Sequence, residues 1–165
     1  MANKTAWVAG NGVGLSWTAA FGTTDLTSLA TGSFMLSSAS AITNGTSLDI
    51  YADFSVVCTV GSATPPAGSY LGIYLYPLQN DGSTYGDGQA TAGSGYAHLP
   101  APAPVGIIPL ETVGATTILA GMVQGIIIPP GTFKWGLYNN SGAALSATDG
   151  NNTAKYRTYN INLNN

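Results

Sequence analysis

Over residues 47–60 the chain alternates without a break. Leu48, Ile50, Ala52, Phe54, Val56, Cys58 and Val60 fall on one side, and Ser47, Asp49, Tyr51, Asp53, Ser55, Val57 and Thr59 on the other. A period of two marks a β-strand with one buried face, because successive side chains of a strand point to opposite sides. The same signal recurs over 70–76, where Leu71, Ile73 and Leu75 alternate with Tyr70, Tyr74 and Tyr76, up to Pro77. It recurs again where Phe133, Trp135 and Leu137 alternate with Lys134, Gly136 and Tyr138. Shorter or looser stretches at 33–37, 105–110, 116–128 and 153–163 complete the set. Gly121 and Gly125 interrupt the third of these, as a bulge or a close approach by another backbone would require. Asn44-Gly45 between β-prone residues predicts a tight type I′ hairpin leading into the long strand. Pro65-Pro66-Ala67-Gly68, Pro129-Pro130-Gly131 and Asn139-Asn140-Ser141-Gly142 are turns.

No stretch carries the 3.6-residue period of an amphipathic helix. Seven to nine strands with turns every ten residues or so predict an all-β fold, an antiparallel β-sandwich with jelly-roll-like character, over residues 31–165. Residues 1–30 differ. Trp7, Trp17 and Phe21 stand among Gly, Ala and Thr with no period, so this stretch reads as an irregular N-terminal arm. Two readings of it stand side by side: the tryptophans close one end of the core, or the arm lies on a neighbouring subunit with Trp7 as its anchor. The segment 79–104 is rich in Gly, Ser and Ala, holds three prolines, and reads as a long loop of the kind that often carries function.

Composition narrows the classes of function. Of the 165 residues only 7% are charged while 45% are hydrophobic. Such a chain buries a core, yet must keep its surface soluble with Ser, Thr, Asn and Gly. Low charge suits a surface covered by neighbours in an assembly, and it also occurs in secreted β proteins. The net charge is −3, and Lys4, Lys134, Lys155 and Arg157 are the only basic residues besides a single histidine. Nucleic acid is therefore not an expected partner, since affinity for it comes from neutralising phosphates. No basic amphipathic stretch suggests a membrane surface, and the longest apolar run is too short to span one. Cys58 is the only cysteine and lies on the apolar face, so a buried, inert thiol is expected. The first residues lack the apolar run of a signal peptide, which points to a chain that begins in a cytoplasm. The four Asn-X-Ser/Thr matches, beginning at Asn3, Asn44, Asn139 and Asn151, are then chance products of composition.

Candidate chemistry is thin. His98 is the only histidine, and no nucleophile–base–orienter set surrounds it by motif. Asp49 and Asp53 share a strand face; a pair of carboxylates serves glycosidases across a cleft, but here a polar outer face is the simpler account. In NDGSTYGDG at 80–88, an EF-hand count from Asp81 puts Ala92 where the bidentate Glu belongs, so the match fails. A looser calcium site on Asp81 and Asp87 is a weak candidate beside a turn whose Asp and Asn bond their own backbone. One Cys and one His exclude a multi-ligand thiolate–imidazole site, and no cofactor motif is present.

The phrases GSYLGIYLYPL at 68–78, NDGSTYGDG at 80–88, IPPGTFKWGLYNN at 128–140 and AKYRTYN at 154–160 resemble small β-sandwich virion structural proteins of tailed bacteriophages. The resemblance covers roughly residues 45–165. It implies a capsid decoration or cement protein, a homo-oligomer (dimer or trimer) in the virion, bound to the outside of the major capsid protein shell, non-enzymatic and without cofactors. The alternative it leaves is a glycan- or receptor-binding module of a head fibre or tail. Aromatic anchors fit the first. The interface candidates are Trp7, Trp17, Tyr51, Tyr70, Tyr74, Tyr76 and Tyr85. For Tyr51, Tyr70, Tyr74 and Tyr76 the competing account is an outer sheet face covered by a loop of the same chain.

Overall fold

A computed structural model describes residues 4–9, 15–61, 64–85, 93–96, 103–111 and 118–164; for 4–9, 93–96 and 162–164 it describes the backbone alone. Eleven strands are found there and no helix: β1 (Lys4–Ala9), β2 (Thr18–Ala19), β3 (Ser33–Leu36), β4 (Ile42–Asn44), β5 (Tyr51–Thr59), β6 (Tyr70–Pro77), β7 (Gly93–Tyr96), β8 (Gly106–Pro109), β9 (Ile118–Ile127), β10 (Gly131–Asn140) and β11 (Thr153–Asn164). They form two antiparallel sheets packed face to face, a β-sandwich. One sheet runs β1-β11-β5-β9, with β2 beside β1 on the same flank of β11. The other runs β7-β3-β10-β6-β8, with β4 sharing the β3 flank of β10.

The alternating strands deliver the core. Ala52, Phe54, Val56 and Cys58 from β5 meet Leu71, Ile73 and Leu75 from β6 and Phe133, Trp135 and Leu137 from β10. The Phe54 and Trp135 rings lie 4.8 Å apart at the centre. The thiol of Cys58 is buried, and burial pushes its pKa up to about 11. Gly125 is a bulge, with φ of 68°, where the register of β9 against β5 slips between Ala52 and Phe54.

Several expectations are corrected. Asn44-Gly45 does not make a hairpin, because β4 pairs with β10 while β5 lies in the other sheet. The buried Asn44 side chain holds this crossover: its Oδ1 accepts the Asp49 N–H at 2.7 Å, and its Nδ2 donates to the carbonyls of Asp49 at 2.8 Å and Pro129 at 3.1 Å. Positive φ falls on Leu48 (47°), and Leu48 and Ile50 are exposed, so the long strand begins at Tyr51 rather than at residue 47. Nor is the N-terminal stretch an extension throughout. β1 fills the flank of β11, and Ala20, Phe21, Leu26 and Leu29 are buried in the main core, since their apolar area is best hidden there. The 79–104 segment is more than loop: Leu78 and Tyr85 bridge one another, and β7 pairs with β3.

Candidate interaction face

The two outer faces of the sandwich are unlike. On the six-stranded sheet, Tyr74 and Tyr76 are not exposed anchors. With Phe34, Leu36 and Tyr85 they form a second apolar cluster, buried under the sheet's own surroundings. Phe34 meets Tyr74 edge-on at 5.9 Å and Tyr76 at 5.2 Å. Room for these rings exists because position 136 is glycine: a Cβ there would stand 2.5 Å from Phe34 and 2.8 Å from Tyr76. Lys134 Nζ lies 5.4 Å from the Tyr85 ring centre and donates to the Ser37 carbonyl at 3.1 Å. Tyr70 is half-buried against Tyr138. Around Tyr74 and Tyr76 this face is covered by side chains of the same chain, mostly from its own strands and with Tyr85 from the following segment, while Ile107 on β8 stays exposed.

The five-stranded sheet shows the opposite. Register aligns its outward residues in cross-strand rows: Thr153–Val57–Ala120, Lys155–Ser55–Met122, Arg157–Asp53, and Tyr159–Tyr51–Ile127. Ile118, Met122 and Ile127 are 68%, 48% and 73% exposed, and Val57 and Ile161 are also exposed. Single exposed apolar residues are ordinary, but adjoining rows of them on one face are not. Leu15 and Trp17 flank it, both exposed; the Trp17 ring lies 4.8 Å from the Arg157 guanidinium, a cation–π contact. Two shallow depressions mark the face. One, of about 210 Å³, lies among Trp17, Val57 and Lys155, and the other, of about 230 Å³, among Leu15, Gln124 and Tyr159.

At its centre sits one neutralised charge pair. Asp53 is buried, and its Oδ2 accepts from Arg157 Nε at 2.9 Å and Nη2 at 2.8 Å. Its Oδ1 accepts the Tyr159 hydroxyl at 3.0 Å and the Gly125 N–H at 3.1 Å. The bulge at Gly125 thus serves the carboxylate by turning a backbone donor toward it. Burial, then the Asp53 hydrogen bond and charge, push the Tyr159 phenol up to about 12. Tyr159 stacks on Tyr51 with ring centres 5.8 Å apart. Four donors satisfy the carboxylate, so it is a fixed structural group and not a free base.

The other sequence candidates are spread apart. Asp49 is buried outside β5 and accepts from Asn160 Nδ2 at 3.1 Å. It lines a polar cleft of about 290 Å³ with Ser16, Thr43, Asn44, Ser47 and Thr158, at the flank where β4 and β11 approach. Asp81 caps its own turn: Oδ1 accepts the Ser83 and Thr84 N–H groups, each at 2.9 Å. These bonds, with that from the Thr84 hydroxyl foremost, lower its pKa to about 2. Asp87 and His98 lie outside the described residues, and the Trp7 side chain does too, though β1 register sets Trp7 opposite Ile161. Among the described residues no three of His, Cys, Asp and Glu come together. Sequence reading missed Ile118, Met122, Ile127 and Ile161 as surface residues. No family model, no curated protein and no solved structure matches the chain.

Proposed function

We propose that this chain is a non-enzymatic bacteriophage virion structural protein, a decoration or cement protein that binds the outer surface of the major capsid protein shell as a homo-oligomer and stabilises it. The observation that carries the reading is the outer face of the five-stranded sheet: exposed Val57, Ile118, Met122, Ile127 and Ile161, with Trp17 at the flank, around the compensated Asp53–Arg157 pair. Such a face loses apolar area to a partner while exposing one free charge in its rows, Lys155, so little water is stripped from charged groups. Preorganised by strand pairing, it suits bridging of subunits. The sequence resemblance supports the same partner.

Addition of the purified protein to undecorated capsids tests this. Saturable binding and a raised capsid melting temperature are expected. Val57→Glu and Ile161→Glu, both at exposed positions, should each weaken binding at least about tenfold, since each leaves a charge desolvated at the contact. Wild-type protein that fails to bind overturns the proposal. The polar cleft beside Asp49 favours a second reading, a glycan-binding module of a fibre or tail, because hydroxyl, amide and carboxylate groups line it. Binding on a glycan array that Asp49→Asn abolishes would establish that reading instead.

A further inference from the structure

The five-stranded sheet ends on one side in β9, and among the described residues nothing pairs with its far flank. β9 is ten residues long, ILAGMVQGII, with no charge and no proline. Its inward residues Leu119, Gly121 and Val123 are only half-buried, whereas Ala52, Phe54 and Val56 of the neighbouring β5 are closed off. Sheet edges are usually blunted by shortness, lysine or proline, because unpaired backbone groups recruit another strand. The other edges here follow that rule: β7 and β8 have four residues each, β8 ends at Pro109, and β1 begins at Lys4. β9 does not.

We propose that β9 pairs with β9 of a second copy of this chain, antiparallel about a twofold axis at Gly121, so that two five-stranded sheets join into one. The Gly125 bulge ends regular geometry, leaving residues 118–124 to pair. In that register Ala120 faces Met122 of the second copy, Leu119 faces Val123, and Ile118 faces Gln124. Small meets large, no like charges meet, and on the inward side of the axis the Ile108 side chain of β8 fills the place of a Cβ at Gly121. A twofold contact satisfies both edges at once and closes, leaving no further edge to propagate a fibre. A foreign strand would need to match the same bulge and uncharged pattern, which a second copy carries by identity. Seven paired residues span roughly 24 Å and the sandwich side is roughly 20 Å deep, so about 1,000 Å² is covered in total, the low end for specific interfaces. Area alone does not set affinity, so the test spans a wide range of concentration.

Sedimentation equilibrium between about 1 and about 100 µM tests this. The mass should rise from 16.7 kDa toward twice that value. Ala120→Lys/Met122→Lys sets lysines opposite one another across the axis and should raise the dissociation constant at least about tenfold. Ala120→Lys/Met122→Glu pairs opposite charges and should keep the dimer, with added salt sensitivity. Ile161→Glu, far along the same face, should leave it intact. Amide hydrogen exchange of the wild-type protein at both concentrations covers the case of a variant that misfolds: the alternate N–H groups of residues 118–124 that point away from β5 should be protected only at the higher one. A wild-type protein monomeric throughout, a dimer indifferent to the two lysines, or exchange at 118–124 independent of concentration overturns the proposal. None of these measurements involves capsids, so the capsid reading and the dimer fail separately.

Discussion

Tyr159 shows how a single side chain on the outer face reports on the fold. Its phenol ionises near 12 in the native state against an ordinary value near 10, so the folded chain holds this proton more tightly than the unfolded one. The stabilisation is complete below pH 10 and is lost as pH rises from 10 to 12, amounting to about 3 kcal/mol. Cys58 and Tyr156 are raised in the same direction by burial, so the test is a difference. Denaturant midpoints at pH 9 and pH 11.5 should separate more for wild type than for Tyr159→Phe. Equal separation would dissolve the link between Tyr159 and Asp53. None of this was legible in the sequence. Asp53 and Arg157 are 104 residues apart, and only strand register brings them together. The available signal was a lone aspartate in mid-strand and one of only three lysine or arginine residues beyond the first ten.

Elements declared themselves where one face is apolar and the other is not. β5, β6 and β10 were readable for that reason, and Gly125, read as either a bulge or a close approach by another backbone, is a bulge. What failed was the environment of the second face. Tyr74 and Tyr76 follow the alternation of a half-exposed strand, yet both are buried, because aromatic rings from β3, β6 and residue 85 cover one another. Alternation reports which side a residue points to, and not what lies on that side. The corresponding prediction concerns β10. Gly136→Ala forces a methyl group against the Phe34 and Tyr76 rings, both locked by neighbours, and should destabilise by about 1–3 kcal/mol. Thermal unfolding checks it, and Phe34→Leu in the same chain should recover part of the loss. Likewise Asn44-Gly45 was misread because turn chemistry is local, while the Asn44 amide bonds to Pro129, far away in the chain.

For the whole molecule, the N-terminal stretch divides at about residue 20 into a strand layer and a core layer. Deleting residues 1–14 removes β1 but no residue of the described core, and should leave a cooperatively folding sandwich with a lowered midpoint. Deleting residues 1–30 also takes away Ala20, Phe21, Leu26 and Leu29. At about 1.5–3 kcal/mol for each of the three large side chains, that loss rivals the whole stability of a typical domain, and the product should be unfolded. Circular dichroism and a urea titration of the two truncations decide this; a folded second product would mean that the 20–29 segment contributes little. The pairing of β11 also has a temporal side. Of the eleven strands it is the last to leave the ribosome, yet it stands between β1 and β2 on one flank and β5 on the other. Until it emerges, β1 and β2 have no strand to pair with. Closure joins the first described strand to the last, as Lys4 opposite Asn164 records, and pairings of such long sequence separation slow folding.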